Sequence, residues 1–198
     1  MRRYGKVSGV AVACALVLAM TVGLAVSARA ADEQWNKGSR WLSLRAGYAK
    51  STEERAPNGN IGYGFGYTQF LSRKWAVSAF VHHEVLGRYG HAAQFEVPFT
   101  AELTRHFRWK TPLRPYLGMG GGAFYHKTYR TGEDTGSFHN GFYFTGGFNT
   151  TLDARHLLGV DTRVAFVDGD ENISDPVFGP GHSNSVHWSV KLNWALAY

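Results

Sequence analysis

The chain has 198 residues, with 21 Lys and Arg against 15 Asp and Glu, a formal net charge of +6 and one cysteine. That length fits a single domain behind a targeting segment, and a lone cysteine excludes a disulfide framework. The basic excess sits largely at the front: without residues 1–30 the chain loses Arg2, Arg3, Lys6 and Arg29 and no acid, which leaves about +2 and no ground for a nucleic-acid partner.

Residues 1–30 read as a cleaved secretory signal peptide. Arg2, Arg3 and Lys6 make a basic start, Val10 to Val26 is an apolar run, and Ala28-Arg29-Ala30 is a small-residue cleavage site. The run is short for an anchor helix and ends in small residues. Cys14 lies inside it, followed by Ala15-Leu16-Val17-Leu18, which argues against a lipoprotein site. Cleavage removes the only thiol. Residues 31–40 are then expected to form a short periplasmic segment, with one domain over 41–198.

No later stretch is apolar and long enough to span a membrane as a helix; what recurs is period two. Trp41 to Ala49 puts Leu42, Leu44, Ala46 and Tyr48 on one face. Asn60 to Phe70 alternates Ile61, Tyr63, Phe65 and Tyr67 with Gly62, Gly64, Gly66 and Thr68. Trp75 to Glu84 sets Trp75, Val77, Ala79 and Val81 against Ser78, Phe80, His82 and Glu84. Gln94 to Phe107 sets Phe95, Val97, Phe99, Ala101, Leu103 and Phe107 against Glu96, Thr100, Glu102, Thr104 and His106. Arg114 to Tyr125 is glycine-rich and leaves its register open. Gly141 to Leu152 and Leu157 to Asp168 resume the alternation, the second with Gly159, Asp161, Arg163 and Ala165 on its polar face. Val186 to Tyr198 closes the chain, with Val186, Trp188, Val190, Leu192, Trp194, Leu196 and Tyr198 against His187, Ser189, Lys191, Asn193, Ala195 and Ala197. These eight segments suit tilted membrane strands, which need about 9–11 residues, better than globular strands of about 5–6.

The connections fall into two groups. Residues 71–74, 108–113 and 153–156 are short; 50–59, 85–93, 126–140 and 169–184 are longer and polar. Segregated by length, they match tight periplasmic turns and longer extracellular loops. The aromatics divide likewise. Trp41, Phe70, Trp75, Phe107, Trp109, Tyr116, Trp194 and Tyr198 fall towards the short-turn rim, and Tyr48, Tyr63, Phe95, Tyr125, Phe142, Phe166 and Trp188 towards the other, as interfacial girdles. The inward set is polar and of both signs: Arg45, His82, Glu84, Glu96, Glu102, His106, Asp161, Arg163, Lys191 and Asn193. An eight-strand barrel is just wide enough for such side chains to fill, and buried charges must be paired. In lipid no strand edge is left open, so the expected fold is all-β, a closed eight-stranded antiparallel transmembrane β-barrel.

Val97-Pro98-Phe99-Thr100-Ala101-Glu102-Leu103 and Arg114-Pro115-Tyr116-Leu117-Gly118-Met119-Gly120-Gly121-Gly122, with the terminal aromatic strand, resemble the generic outer-membrane β-barrel domain family of the OmpA, OmpX and OmpW kind. The resemblance implies a Gram-negative outer-membrane location. Its implied partners are outer-membrane lipids, lipopolysaccharide and the barrel-assembly machinery that reads the last strand. A monomer without cofactor is expected, in a structural or surface-interaction role. A small-solute or hydrophobic-compound channel of OmpW type is the alternative.

Catalysis is not expected. Lipid A deacylase barrels, of similar size, imply a His-x-Ser pair that activates a serine; the corresponding Arg163-Val164-Ala165-Phe166-Val167-Asp168 has neither residue, and His182 and Ser183 are adjacent in a Gly/Pro-rich loop. No metal site is expected. His82, His83, His91, His126, His139, His182 and His187 gather towards the long-loop end with Asp168, Asp170, Glu171 and Asp175, but no ligand spacing is diagnostic. Gly118-Met119-Gly120-Gly121-Gly122 lacks the Lys-Ser/Thr and the helix of a phosphate loop. Residues 127–134 form a polar segment suited to an extracellular contact or a solubilising cap.

Overall fold

The computed structural model describes residues 33–52, 59–89, 92–109, 112–130, 133–168 and 184–198. The signal peptide, His91, residues 169–183 with Asp170, Glu171, Asp175, His182 and Ser183, and parts of the expected loops lie outside them. A short 3-10 turn at Glu33–Trp35 precedes eight strands: β1 (Arg40–Ser51), β2 (Asn60–Phe70), β3 (Trp75–Tyr89), β4 (Ala92–His106), β5 (Leu113–Arg130), β6 (Glu133–Thr151), β7 (His156–Asp168) and β8 (Asn184–Ala197). Each pairs antiparallel with its neighbour, and β8 returns to β1, from Trp41 opposite Ala197 to Ser51 opposite His187, so the sheet closes into a barrel.

Closure sorts side chains by parity. Outside, Leu44, Ile61, Phe65, Phe99, Leu117, Met119, Phe142 and Phe144 are all more than two-fifths exposed. A contiguous belt of this kind exceeds the apolar patches of water-soluble monomers. Inside, polar and charged residues are buried together with a smaller set of aromatics such as Trp41, Phe80 and Phe124. The glycines of β2 lie opposite the bulkiest inward residues of β3, with Gly64 facing His82 and Gly66 facing Phe80. A methyl group at Gly66 would enter the Phe80 ring, and one at Gly120 would meet the Ala101 carbonyl and the Tyr143 ring. Glycine at these two positions creates the volume that large lumen side chains occupy.

Two expected loops are largely strand. β3 and β4 continue past residue 84 to pair Tyr89 with Ala92, with a register shift between Val85 and Gly87. β5 and β6 pair as far as Arg130 and Glu133. The long-loop end therefore carries two extended hairpins, β3–β4 and β5–β6. Backbone ladder bonds do not depend on side-chain polarity, so a hairpin continues where apolar alternation, the signal readable in sequence, has stopped.

Candidate functional site

The lumen is built in layers set by strand register. At the short-turn end, Trp35 (1% exposed) packs edge-on against Trp41, with ring centroids 4.6 Å apart, and lies 5.7 Å from Phe70 and 5.4 Å from His106. Trp41 Nε1 donates to the Gln34 carbonyl at 3.0 Å. Trp41, assigned from sequence to the outer rim, is thus an interior residue, 2% exposed. Its height along the barrel puts it at the rim, but its parity, shared with Ser43 and Arg45, turns it inward. Phe70 and Tyr116 depart from the rim for the same reason, being buried at 1% and 3% exposure. The segment at 31–40, read from sequence as a short periplasmic segment, supplies Gln34 and Trp35 to this interior cluster. Tyr48, Tyr63, Trp75, Phe107, Trp188, Trp194 and Tyr198 are exposed on the outside, and Tyr125 is half-buried against Phe138.

Above this cluster lies a layer of neutral hydrogen bonds. Thr68 and Ser78 hydroxyls are 2.8 Å apart, Thr104 and His106 3.2 Å, and Asn193 Nδ2 donates to Asn149 Oδ1 at 2.9 Å. The centre of the barrel is ionic. Arg45 reaches Asp161 at 3.3 Å and Glu102 at 3.5 Å; Arg163 reaches Glu102 at 2.9 Å and Asp161 at 3.3 Å. Tyr116 and Thr145 donate to Asp161 at 2.7 and 3.0 Å, and Tyr143 donates to Glu102 at 3.1 Å. The Arg45 guanidinium also stacks 3.7 Å over the Phe80 ring. Both carboxylates are thereby shared between two arginines and hydroxyl donors, the arrangement that buried charge requires. His82 lies 3.4 Å from Arg163, and Lys191 Nζ donates to Glu84 at 2.5 Å and to Ser189 at 3.0 Å.

Towards the long-loop end, Glu96 and His126 are direct partners across β4 and β5, and His187 of β8 crosses the lumen to the same carboxylate, its Nδ1 2.8 Å from Glu96 Oε2. His126 Nε2 contacts that same oxygen. The His139 ring lies 5.0 Å from the His126 ring, and Ser137 is 2.6 Å from His139 Nε2. Glu96 and the histidines entered the sequence reading separately, as a lumen acid and as residues gathered towards the long-loop end without ligand spacing. His83, by contrast, sits on the outer wall between Tyr63 and Phe95. Only the cross-strand register brings Glu96, His126 and His187 together, and no spacing in the sequence encodes it.

These features define the fold of small eight-stranded outer-membrane β-barrels. Neisserial surface protein A superposes with a TM-score of 0.66 at 11% identity, over 82% of this chain and 100% of that one. The N-terminal barrel of Pseudomonas aeruginosa OprF gives 0.55 at 12% identity, over 82% and 98%. Ail, the attachment invasion locus protein of Yersinia pestis, gives 0.54 at 11% identity, over 82% and 99%. No protein-family model and no curated protein sequence matches the chain.

Proposed function

We propose that this chain is an integral outer-membrane protein, exported through residues 1–30. In this reading its lumen is closed to solutes and its role is structural or surface-interacting, without catalysis. One observation carries it: Arg45, Glu102, Asp161 and Arg163 form a continuous ionic layer across the middle of a narrow barrel, at a strand number where side chains fill the interior. The exposed apolar belt supports a bilayer environment, with lipid and lipopolysaccharide as its contacts and the terminal strand as the feature read by the barrel-assembly machinery. The likeness to a Neisserial surface protein and an attachment invasion locus protein supports a surface role for the extended β3–β4 and β5–β6 hairpins. A monomer suffices, since closure leaves no strand edge unpaired.

Planar-bilayer recording of the purified mature barrel tests the closed lumen. The expected trace stays at the lipid baseline; regular unit steps of current would overturn the closed reading and favour a channel. Membrane fractionation with unboiled-gel migration tests the location. A mature chain recovered as soluble periplasmic protein would sink the membrane reading itself.

A further inference from the structure

We propose that Glu96, His126 and His187 form a binding site for one divalent transition-metal ion of the zinc class, near the long-loop mouth of the barrel. Each residue offers one ligand atom, and the three atoms all lie within 4.8 Å of one another. The donor set is two imidazoles and one carboxylate, which suits zinc or cobalt and not calcium or magnesium, whose ligands are oxygens. The three come from β4, β5 and β8, so the ion would tie one side of the barrel to the other.

The charge arrangement favours a cation here. Through the middle of the lumen Arg45, Arg163 and Lys191 are matched by Glu102, Asp161 and Glu84. Glu96 is a fourth carboxylate, 1% exposed, and stands directly opposite Glu84 across β3 and β4. Like charges in register repel. Among the described residues, Lys191 serves Glu84, whereas the ion pairs of Glu96 are with imidazoles. A divalent ion at Glu96 adds positive charge beside the two opposed carboxylates and leaves the imidazoles neutral, as ligands must be. Two nitrogens already converge on one carboxylate oxygen. Small side-chain rotations that part each nitrogen from the oxygen and bring the two imidazoles together from within 4.8 Å would give the separations of about 3.3 Å that a tetrahedral zinc set implies. A cavity of about 20 Å³ borders Glu96 and His187, with Glu84, Thr100 and Ser189 on its wall. It is large enough for one water, which can take the fourth position of a three-ligand site.

The test uses the mature barrel refolded in detergent, stripped with chelator and titrated with Co²⁺ and then Zn²⁺, reading visible absorption and heat. One cobalt per barrel is expected, with ligand-field bands that zinc abolishes. Loss of an outer-shell partner alone weakens metal sites by about 10–100-fold, so His187→Ala and Glu96→Gln should each weaken binding at least about tenfold. His83→Ala, on the outer wall, should leave it unchanged. Unboiled-gel migration establishes that each variant is folded, and His126→Gln replaces any that is not. Absence of stoichiometric binding by the parent barrel overturns the proposal. So does binding that survives in the folded His126→Gln/His187→Gln double variant and is lost on replacing His91 and His182, which would move the ion to the loops. Metal binding in detergent is read independently of membrane location or conductance, so it fails or stands apart from the proposed function.

Discussion

Asp153 and Asp161 are the same side chain put to different uses. Asp161 is wholly buried, shared by Arg45 and Arg163 and capped by Tyr116 and Thr145; removing one partner of such a group strands a charge in the interior. Asp153 is exposed in the β6–β7 turn. Its Oδ1 accepts the backbone N–H of Arg155 at 2.8 Å and of His156 at 2.9 Å, and the His156 imidazole lies 2.8 Å from Oδ2. The Arg155 amide and then the His156 donors hold its carboxyl at about 2, below the usual 3.8. A folded-state value below the unfolded one means the turn is favoured while the carboxylate is charged, and that support fades as pH falls from about 4 through about 2. The stability difference between the parent and Asp153→Ala should therefore be present at about pH 5 and shrink steadily as pH falls through about 2. Paired denaturant titrations across that range measure it. A difference independent of pH would show that the side chain acts through packing alone.

At the scale of a strand, β8 shows what alternation carries. Trp188, Val190, Leu192 and Trp194 are exposed, while His187, Ser189, Lys191 and Asn193 are buried. That strict period survives in sequence because each residue meets one of two solvents. Leu192 lies between Ala46 of β1 and Val160 of β7, close to mid-strand. Leu192→Arg should cost about 2–4 kcal/mol in unfolding from lipid vesicles, the cost of a cation at the bilayer midplane. A near-zero change would place Leu192 away from hydrocarbon. Three features were not legible in this way. Trp41, Phe70 and Tyr116 sit at strand ends, where height suggests the rim and only parity reveals the interior. The outer parts of β5 and β6 carry polar residues on both faces, and in β3 Val85 and Leu86 are adjacent apolar residues at a register shift, so these ladders leave no alternation to read. The meeting of Glu96, His126 and His187 depends on register around the barrel, and inward parity alone does not say which inward residues touch.

For the whole molecule, the interior divides into regions with separable effects: an aromatic cluster at the short-turn end, an ionic layer at the centre, and the Glu96–His126–His187 group at the other end. The outside is apolar, so the barrel inverts the usual order and concentrates its specificity in the lumen. If the ionic layer is the barrier to solutes, the aromatic cluster contributes stability but not closure. Trp35 is buried among Trp41, Phe70 and His106, and Arg114 stacks 4.7 Å over its ring. Trp35→Ala should lower unfolding free energy by about 3–5 kcal/mol, as for large aromatic truncations, with the bilayer current still at baseline. Glu102→Ala combined with Arg163→Ala removes one acid and one base together, leaving Arg45 paired with Asp161 and no orphaned charge. That double variant should pass ions where the parent does not, read as current steps in the same bilayer recording. The opposite pattern, conduction in Trp35→Ala and silence in the double variant, would move the barrier to the short-turn end and make the N-terminal turn, rather than the ionic layer, the element that closes the barrel.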